Sequence, residues 1–194
     1  MPHALEPLAP DIFIIENLLS ESLCQHVIEI SEHFGMRSAG VGVDTIAKPI
    51  RSNDLLYLGD PDPLLESTSQ LLLGAINTIQ DLLFEHYGIR FPNSEACSIL
   101  RYREGEFYKR HVDNLLLSSR QEEVQRGVPT RDVSIVGYLN QDFEGGETYF
   151  DRQNLKVKPQ TGSVLVFPAF YTYPHQSLSV TRGIKFSFAT WLLH

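Results

Sequence analysis

Apolar residues recur at helical spacing in two segments of the first half of the chain. In the first segment, four of them follow one another at intervals of three and four residues: Leu23, Val27, Ile30 and Phe34. This is the period of one helix face. Ser20 is a favoured N-cap residue and Gly35 a common residue after a helix end. The pattern predicts an amphipathic helix between Ser20 and Gly35.

A longer segment after Asp62-Pro63 repeats the same period up to about His86. Its apolar positions are Leu65, Leu72, Ile76, Ile79 and Leu83. Because Gly88 follows and proline is favoured in a first helical turn, we expect a long amphipathic helix here. Between the two helices, the stretch from Ile50 to Leu58 is typical of a strand.

After about residue 90 the pattern changes to short β-rich runs separated by turn residues. Gly145-Gly146 and Gln160-Thr161-Gly162 mark tight turns. The predicted strands are Ala96–Tyr102, Tyr108–Asp113, Val133–Leu139, Thr148–Phe150, Ser163–Phe167 and Ile184–Leu192. Helices followed by closely spaced strands indicate an α+β chain whose β part is a sandwich or jelly roll.

Length and charge narrow the classes of function. The 194 residues indicate one domain over 1–194, with helical support over about 1–90, a β core over about 91–194 and one core strand near 50–58. A net charge of −8 argues against a nucleic-acid partner. Only Cys24 and Cys97 are cysteines, which excludes a disulfide framework. No signal-peptide pattern and no apolar run of about 18 residues is present, so we expect a cytoplasmic protein without a membrane segment.

One His-x-Asp motif stands out among the seven histidines. His111 and Asp113 lie two apart on a predicted strand, so their side chains point to one side while Val112 points to the other. A third ligand has to come from another strand, and His175 is the remaining candidate. Two imidazoles and one carboxylate on one face leave metal positions open, as in the non-haem Fe(II) oxygenases.

A lone basic residue follows on the last predicted strand. Alternation along residues 184–191 places four side chains on one side: Lys185, Ser187, Ala189 and Trp191. If that side lines the metal pocket, Lys185 is a buried cation that needs an anion, and a ligand carboxylate would supply it. Arg182 is the competing cation, but it precedes a glycine in a turn.

These motifs resemble a known family. The run Tyr102–Asn114 (YREGEFYKRHVDN) resembles the iron-binding strand of the 2-oxoglutarate- and Fe(II)-dependent prolyl hydroxylases. Later segments resemble successive parts of the same family's fold, in the same order: Tyr138-Leu139-Asn140, residues 145–150, His175, residues 180–185 and Trp191. Residues 50–53 resemble the strand that opens the pocket. The resemblance covers about residues 48–194. It implies a double-stranded β-helix, or jelly roll, with supporting N-terminal helices.

The resemblance also implies roles for single residues. His111, Asp113 and His175 would bind Fe(II), and Lys185 would hold the distal carboxylate of 2-oxoglutarate. Tyr138 matches a tyrosine that hydrogen-bonds the same carboxylate, and Tyr102 matches a tyrosine of the pocket wall. Four further positions are matched to the substrate pocket or its mouth: Arg51, Asn53, Arg131 and Trp191. O2 is the second cosubstrate, and ascorbate is the expected reductant.

The implied activity is hydroxylation of an unactivated C–H, on a prolyl residue or an amino-acid-like substrate, with succinate and CO2 as products. Asp113 favours hydroxylation, because related halogenases have a small residue there. The connection 114–132 is longer than the substrate-covering loop it resembles, so the substrate stays open between a small molecule and a peptide or protein. The oligomeric state is not predicted.

Three other hypotheses about the function remain open at this point. The scaffold could hydroxylate a free amino acid or another small metabolite, or it could be a nucleic-acid demethylase, which the net charge disfavours. It could also be a non-catalytic jelly-roll binding module. In that case the aromatic residues Tyr102, Tyr138 and Trp191 are core residues, and Arg51 and Arg131 pair with surface acids.

Overall fold

Two helices lie where the apolar periodicity predicts them. The structure, a computed structural model, describes residues 3–38, 50–114, 125, 127 and 129–194. Helix α1 is Glu21–Phe34, and the Ser20 hydroxyl accepts from the Leu23 amide at its start. Helix α2 is Pro63–Tyr87, with the Asp62 carboxylate accepting from two amides at one end and Gly88 in a left-handed conformation at the other. Both predicted helices and their caps are confirmed.

The strands of the described residues form two main sheets. In chain order they are β1 Glu6–Ala9, β2 Ile12–Ile15, β3 Arg37–Ser38, β4 Asp54–Tyr57, β5 Asn93–Ser94, β6 Ser98–Tyr102, β7 Tyr108–His111, β8 Val133–Tyr138, β9 Glu144–Gly145, β10 Thr148–Phe150, β11 Leu155–Val157, β12 Val164–Pro168, β13 His175–Ser177, β14 Val180–Arg182 and β15 Lys185–Leu193. The large sheet has the order β1-β2-β12-β8-β15-β6-β4-β3, with β5 paired to β15. The small sheet has the order β11-β10-β13-β7, and β9 pairs with β14.

Alternation along the central strands gives the large sheet two different faces. On β15, Phe186, Phe188 and Leu192 are buried in the cluster that also contains the apolar residues of both helices. Lys185 and Ser187 point to the opposite face, where they line a cavity. Strands β8 and β12 follow the same rule. The helices therefore cover one face, and the other is left to build a site.

A second apolar cluster joins the two sheets. It contains Ile12, Tyr138, Phe150, Val157, Leu165 and Phe167, which come from strands of both sheets. Two facing antiparallel sheets, one of them backed by helices, are the expected double-stranded β-helix. The prediction of an α+β chain with a jelly-roll core is confirmed.

The N-terminal region contains more strand than predicted. We expected one strand before residue 91, but β1, β2, β3 and β4 all join the large sheet. β1 and β2 each have only four residues and turn through Asp11, which takes a left-handed conformation usually given to glycine. The predicted strand 50–58 is reduced to β4. His175 lies on another strand, β13, as expected of the third ligand.

Among the described helices, none is long and apolar enough to cross a membrane.

Gly137 on β8 is required by the packing of β15. A Cβ built on Gly137 would overlap Cε1 of Phe188, which is fully buried. We expect Gly137→Ala to lower the free energy of unfolding by about 1–3 kcal/mol through overpacking, measured by urea denaturation. Gly74→Ala, on the exposed face of α2 with nothing near its Cβ, is the control and should raise it by about 0.5–1 kcal/mol. Equal effects at the two positions would contradict this account.

Candidate metal centre and adjoining cavity

Strand pairing brings the three predicted metal ligands together. His111 is the last residue of β7 and His175 the first of β13, and the two lie directly opposite in the antiparallel register. Asp113 follows β7. The Asp113 carboxylate lies 3.2 Å from Nε2 of His111 and 3.6 Å from Nε2 of His175. The three ligand atoms all lie within 4.8 Å of one another, so one ion could contact them all.

The strand ends sooner than the sequence suggests. We expected an extended conformation through Asp113, with Val112 pointing away. β7 ends at His111 instead, and Val112 also lines the cavity. The convergence of His111 with Asp113 is therefore made by the bend after the strand rather than by alternation.

Both imidazoles are oriented by backbone carbonyl groups. Nδ1 of His111 lies 2.7 Å from the carbonyl of Lys109, and Nδ1 of His175 lies 3.2 Å from the carbonyl of Tyr173. A carbonyl only accepts, so Nδ1 carries the proton in both rings, which leaves the lone pair of Nε2 facing Asp113. This is the tautomer that a metal ligand needs.

Burial favours the neutral form of His175. It lowers the pKa of His175 to about 4, against a smaller opposing effect of Asp113, so its ring is neutral at neutral pH. Burial acts to raise the pKa of Asp113, but the adjacent imidazoles, when they carry a proton on Nε2, outweigh it and hold that pKa well below its usual range. With Nε2 unprotonated, the two imidazoles and the carboxylate fit the facial ligand set of non-haem Fe(II).

Aromatic rings fix the imidazoles from the side. The ring of Tyr108 stacks on His111 with centroids 3.6 Å apart and planes at 13°. Phe167 and Phe150 contact His175 at centroid distances of 4.7 and 5.5 Å. The sequence did not single out these three residues, and strand alternation cannot find Tyr108, because it stands three positions before His111.

The metal-ligand cluster lies in the wall of a cavity of about 330 Å³ between the sheets. Most of the predicted site residues line the same cavity: Arg51, Tyr102, Arg131, Lys185 and Trp191. Alternation along β15 does bring Lys185, Ser187, Ala189 and Trp191 to it. A potential metal site and a buried cation therefore share one enclosed space.

Lys185 is 2% exposed, and its contacts are incomplete for a cation. Its ammonium group donates to the carbonyl of Gly146 at 2.7 Å and to Oγ of Ser177 at 3.1 Å. In the part of the chain that the structure describes, no carboxylate forms an ion pair with it. Burial lowers the pKa of Lys185 to about 7, with Glu147 acting weakly in the other direction. An anion in the cavity would restore the charge.

Two predicted residues do not line the cavity. Tyr138 is fully buried, and its hydroxyl hydrogen-bonds Oγ1 of Thr148, a residue of the cavity wall, at 2.8 Å. Asn53 is also buried, and its Nδ2 donates to the carbonyl of Asp54 at 3.0 Å. Tyr102 does line the cavity, with its ring centre 5.1 Å from Nζ of Lys185. Burial raises the pKa of both Tyr102 and Tyr138.

At one side of the cavity, Glu95 holds Arg131 in place. Glu95 was not among the predicted site residues. The two side chains form two hydrogen bonds at 2.6 and 2.8 Å, and the guanidinium lies 3.5 Å from the ring centre of Trp191. Arg51 lies 5.4 Å from the ring centre of Tyr108. Arg131 therefore pairs with an acidic residue and also lines the cavity. Most of the connection 114–132 lies outside the described residues.

A second cavity of about 470 Å³ is larger but contains no comparable chemistry. Its walls are mainly apolar and include Phe13, Leu83, Ile89, Phe91 and Phe170. None of the three potential metal ligands lines it. The smaller cavity, with its convergent polar groups, is therefore the candidate active site.

Comparison with known proteins agrees with this choice. A sequence profile described as the 2OG-Fe(II) oxygenase superfamily matches residues 97–193, which include all three potential metal ligands. A protein of Acanthamoeba polyphaga mimivirus, provisionally named a prolyl 4-hydroxylase, is 26% identical over 92% of this chain and 72% of its own. Prolyl 3-hydroxylase 1 of Gallus gallus is 23% identical over 92% of this chain, but the chain spans only 28% of its length.

The fold is similar to that of a solved prolyl hydroxylase. The Trichoplax adhaerens enzyme, in complex with a peptide fragment of the hypoxia inducible factor oxygen degradation domain, has a TM-score of 0.70 at 18% identity. The match covers 94% of this chain and 83% of that one. At this identity the likeness concerns the fold.

Lys185 should reduce stability when no anion is bound. We expect Lys185→Met to raise the free energy of unfolding of the metal-free protein at pH 6, because a buried cation without a counter-ion is replaced by an apolar side chain. The advantage should shrink as the pH rises above about 7, where the folded protein releases the Lys185 proton while the unfolded chain keeps it to a pKa of 10.5.

Urea denaturation between pH 6 and 9 measures this difference. The exposed Lys158→Met is the matched control. A stability difference between wild type and Lys185→Met that is constant or grows with pH would contradict the assignment of a destabilised ammonium group.

Proposed function

Because this chain belongs to the 2OG-Fe(II) oxygenase superfamily, we propose that it hydroxylates a prolyl residue in a peptide or protein at the cavity lined by His111, Asp113 and His175. The chain is a dioxygenase that depends on Fe(II), 2-oxoglutarate and O2. The observation that carries the proposal is the sharing of one cavity by a facial set of metal ligands and a buried, unneutralised Lys185.

The fold already orients the side chains that would bind the metal. Nε2 of His111, Nε2 of His175 and a carboxylate oxygen of Asp113 would hold Fe(II), and the carbonyl groups of Lys109 and Tyr173 keep the Nδ1 protons in place. Bound Fe(II) with 2-oxoglutarate supplies the chemistry that inserts one oxygen atom of O2 into a C–H bond and releases succinate and CO2. No side chain is required as a general acid or base.

Lys185 would bind the distal carboxylate of 2-oxoglutarate. Its ammonium group is held by Gly146 and Ser177, and the charge-assisted contact fixes which end of the cosubstrate points away from the metal ligands. Thr148 lies in the same wall, with Tyr138 hydrogen-bonded behind it. Tyr138 would therefore orient the Thr148 hydroxyl rather than contact the cosubstrate itself.

Part of the remaining cavity wall suits a neutral ring. Trp191, Tyr108, Leu100 and Val136 supply aromatic and aliphatic surface. Because Glu95 neutralises Arg131 through two hydrogen bonds, that side of the cavity contributes little net charge. The pyrrolidine ring of a prolyl residue is apolar and uncharged, so it fits this wall. The names of the mimivirus, chicken and Trichoplax proteins support the same substrate class.

Removal of the carboxylate ligand tests the site. Asp113→Ala should abolish succinate formation from 2-oxoglutarate while the protein stays folded, because two imidazoles alone no longer provide the facial set. The assay measures succinate and, by circular dichroism, the fold. Asp60→Ala, an exposed aspartate on a turn, is the matched control and should retain full activity. Full succinate production by Asp113→Ala would overturn the assignment.

A substrate panel tests the prolyl proposal. Proline-containing peptides and free amino acids are incubated with the Fe(II)-loaded enzyme, 2-oxoglutarate, O2 and ascorbate, and the products are examined by mass spectrometry and NMR for one added oxygen on the proline ring. We expect oxygen on peptidyl proline and none on free proline. Hydroxylation of free amino acids alone would assign a small-metabolite hydroxylase instead.

The affinity for 2-oxoglutarate should fall as the pH rises above about 7. The carboxylate binds the protonated form of Lys185, and the free site loses that proton around a pKa of 7, so binding at higher pH must include proton uptake. Anaerobic titration of the metal-loaded protein between pH 6.5 and 9 measures this. Lys185→Arg keeps its charge throughout and should show a flatter dependence. Parallel curves for the two proteins would contradict the role of Lys185.

A further inference from the structure

The two histidines of the metal centre are oriented in the same way. Each donates from Nδ1 to the carbonyl two residues before it: His111 to Lys109 at 2.7 Å, and His175 to Tyr173 at 3.2 Å. The direction of each Nε2 lone pair therefore depends on where that carbonyl is held. Such partners of metal-binding histidines tune the affinity of a site.

The two carbonyl groups are held by different means. Lys109 lies within β7, and its amide donates to the carbonyl of Ile50 at 2.8 Å, so backbone pairing fixes it. Tyr173 lies in the turn of residues 169–174, between β12 and β13. Its amide donates to the carbonyl of Phe170 within the same turn, and outside the turn Gln153 donates to the carbonyl of Thr172 at 3.0 Å.

The side chain of Tyr173 connects this residue itself to the N-terminal part of the fold. Its hydroxyl donates to Oδ2 of Asp11 at 3.0 Å. Asp11 lies in the tight turn between β1 and β2 with a φ of 56°, and β2 is hydrogen-bonded to β12. The other carboxylate oxygen, Oδ1, accepts from the hydroxyl of Tyr87 at the end of α2 at 2.7 Å. Asp11 thus joins the turn before His175 to the N-terminal hairpin and to a helix.

We propose that Asp11 is a positioning residue for the metal centre, acting through the Tyr173 hydroxyl on the carbonyl group that orients His175. For His175, this side-chain contact does what strand pairing does for His111. The inference rests on the proposed function, because it takes His175 as a ligand of the metal.

Asp11 and its partners are separate from the catalytic cavity. Asp11, Tyr87 and Tyr173 all line the larger apolar cavity, and none of them lines the one that contains the metal ligands. Substitutions there do not alter a residue that lines the catalytic cavity. The hydrogen bond from His175 to the carbonyl of Tyr173 links this group of residues to the metal centre.

The pair Tyr173→Phe and Tyr87→Phe separates positioning from simple stabilisation. Both variants remove one hydroxyl from the same carboxylate, but only Tyr173 is linked to a metal ligand. Co(II), added alone to the apo-protein and followed by its visible absorption, reports metal affinity without turnover. Thermal unfolding of the apo-proteins reports the structural cost of each change.

We expect Tyr173→Phe and Asp11→Ala to weaken Co(II) binding by about tenfold, and Tyr87→Phe to stay within about twofold of wild type at a similar loss of thermal stability. Equal weakening by the two tyrosine variants, or none by Tyr173→Phe, would overturn the inference while the proposed function stands. Wild type that binds no Co(II), or binds it as well after Asp113→Ala, would overturn both.

Discussion

The alternation of side chains along the central strands is the constraint on which the rest of the structure depends. Successive residues of β15 face either the helices or the cavity, and Phe186 and Phe188 on the first face hold Lys185 and Ser187 on the second. Register matters for the same reason in the small sheet, where His111 lies opposite His175. A shift of either strand by one residue would turn its site residues to the opposite face. The same strand register therefore builds both the core and the site.

The site contains charged groups that bound ligands would neutralise. Asp113 lies between two imidazoles, and Lys185 is a buried cation whose partners are a carbonyl and a hydroxyl. The buried ammonium group costs stability in the free protein, and a bound anion compensates this cost. This is the expected trade between stability and function in an active site, and it explains why a cation occupies a position in the sheet where an apolar residue would pack better.

Much of the fold and the site could be predicted from the sequence, because the signals are local. The helix periods and caps at Ser20 and Asp62 determined α1 and α2, and alternation after residue 184 placed Lys185 with Trp191. The strands β1 and β2 could not be predicted, since neither EPLA nor IFII alternates between apolar and polar residues and their turn uses Asp11 instead of glycine.

The missed site residues have different causes. Glu95 pairs with Arg131, 36 positions along the chain, and such a contact leaves no trace in a single sequence. Tyr108 stacks on His111 at a spacing of three, which strand alternation does not select. Ser177 lies two residues after His175, but on a strand that was not predicted, so alternation did not identify it. Asn53 shows the opposite limit, because matching a motif position does not ensure that the side chain faces the cavity.

The contact between Lys185 and Ser177 gives the cavity a fixed length scale. Ser177 lies two residues after His175 on β13, a rise of about 7 Å in an extended strand. The backbone of β13 thus sets the spacing between the proposed metal ligand and the hydroxyl that holds the ammonium group of Lys185. An acid that contacts the metal with one end and Lys185 with the other would have to match this spacing, so the length of its carbon chain would matter.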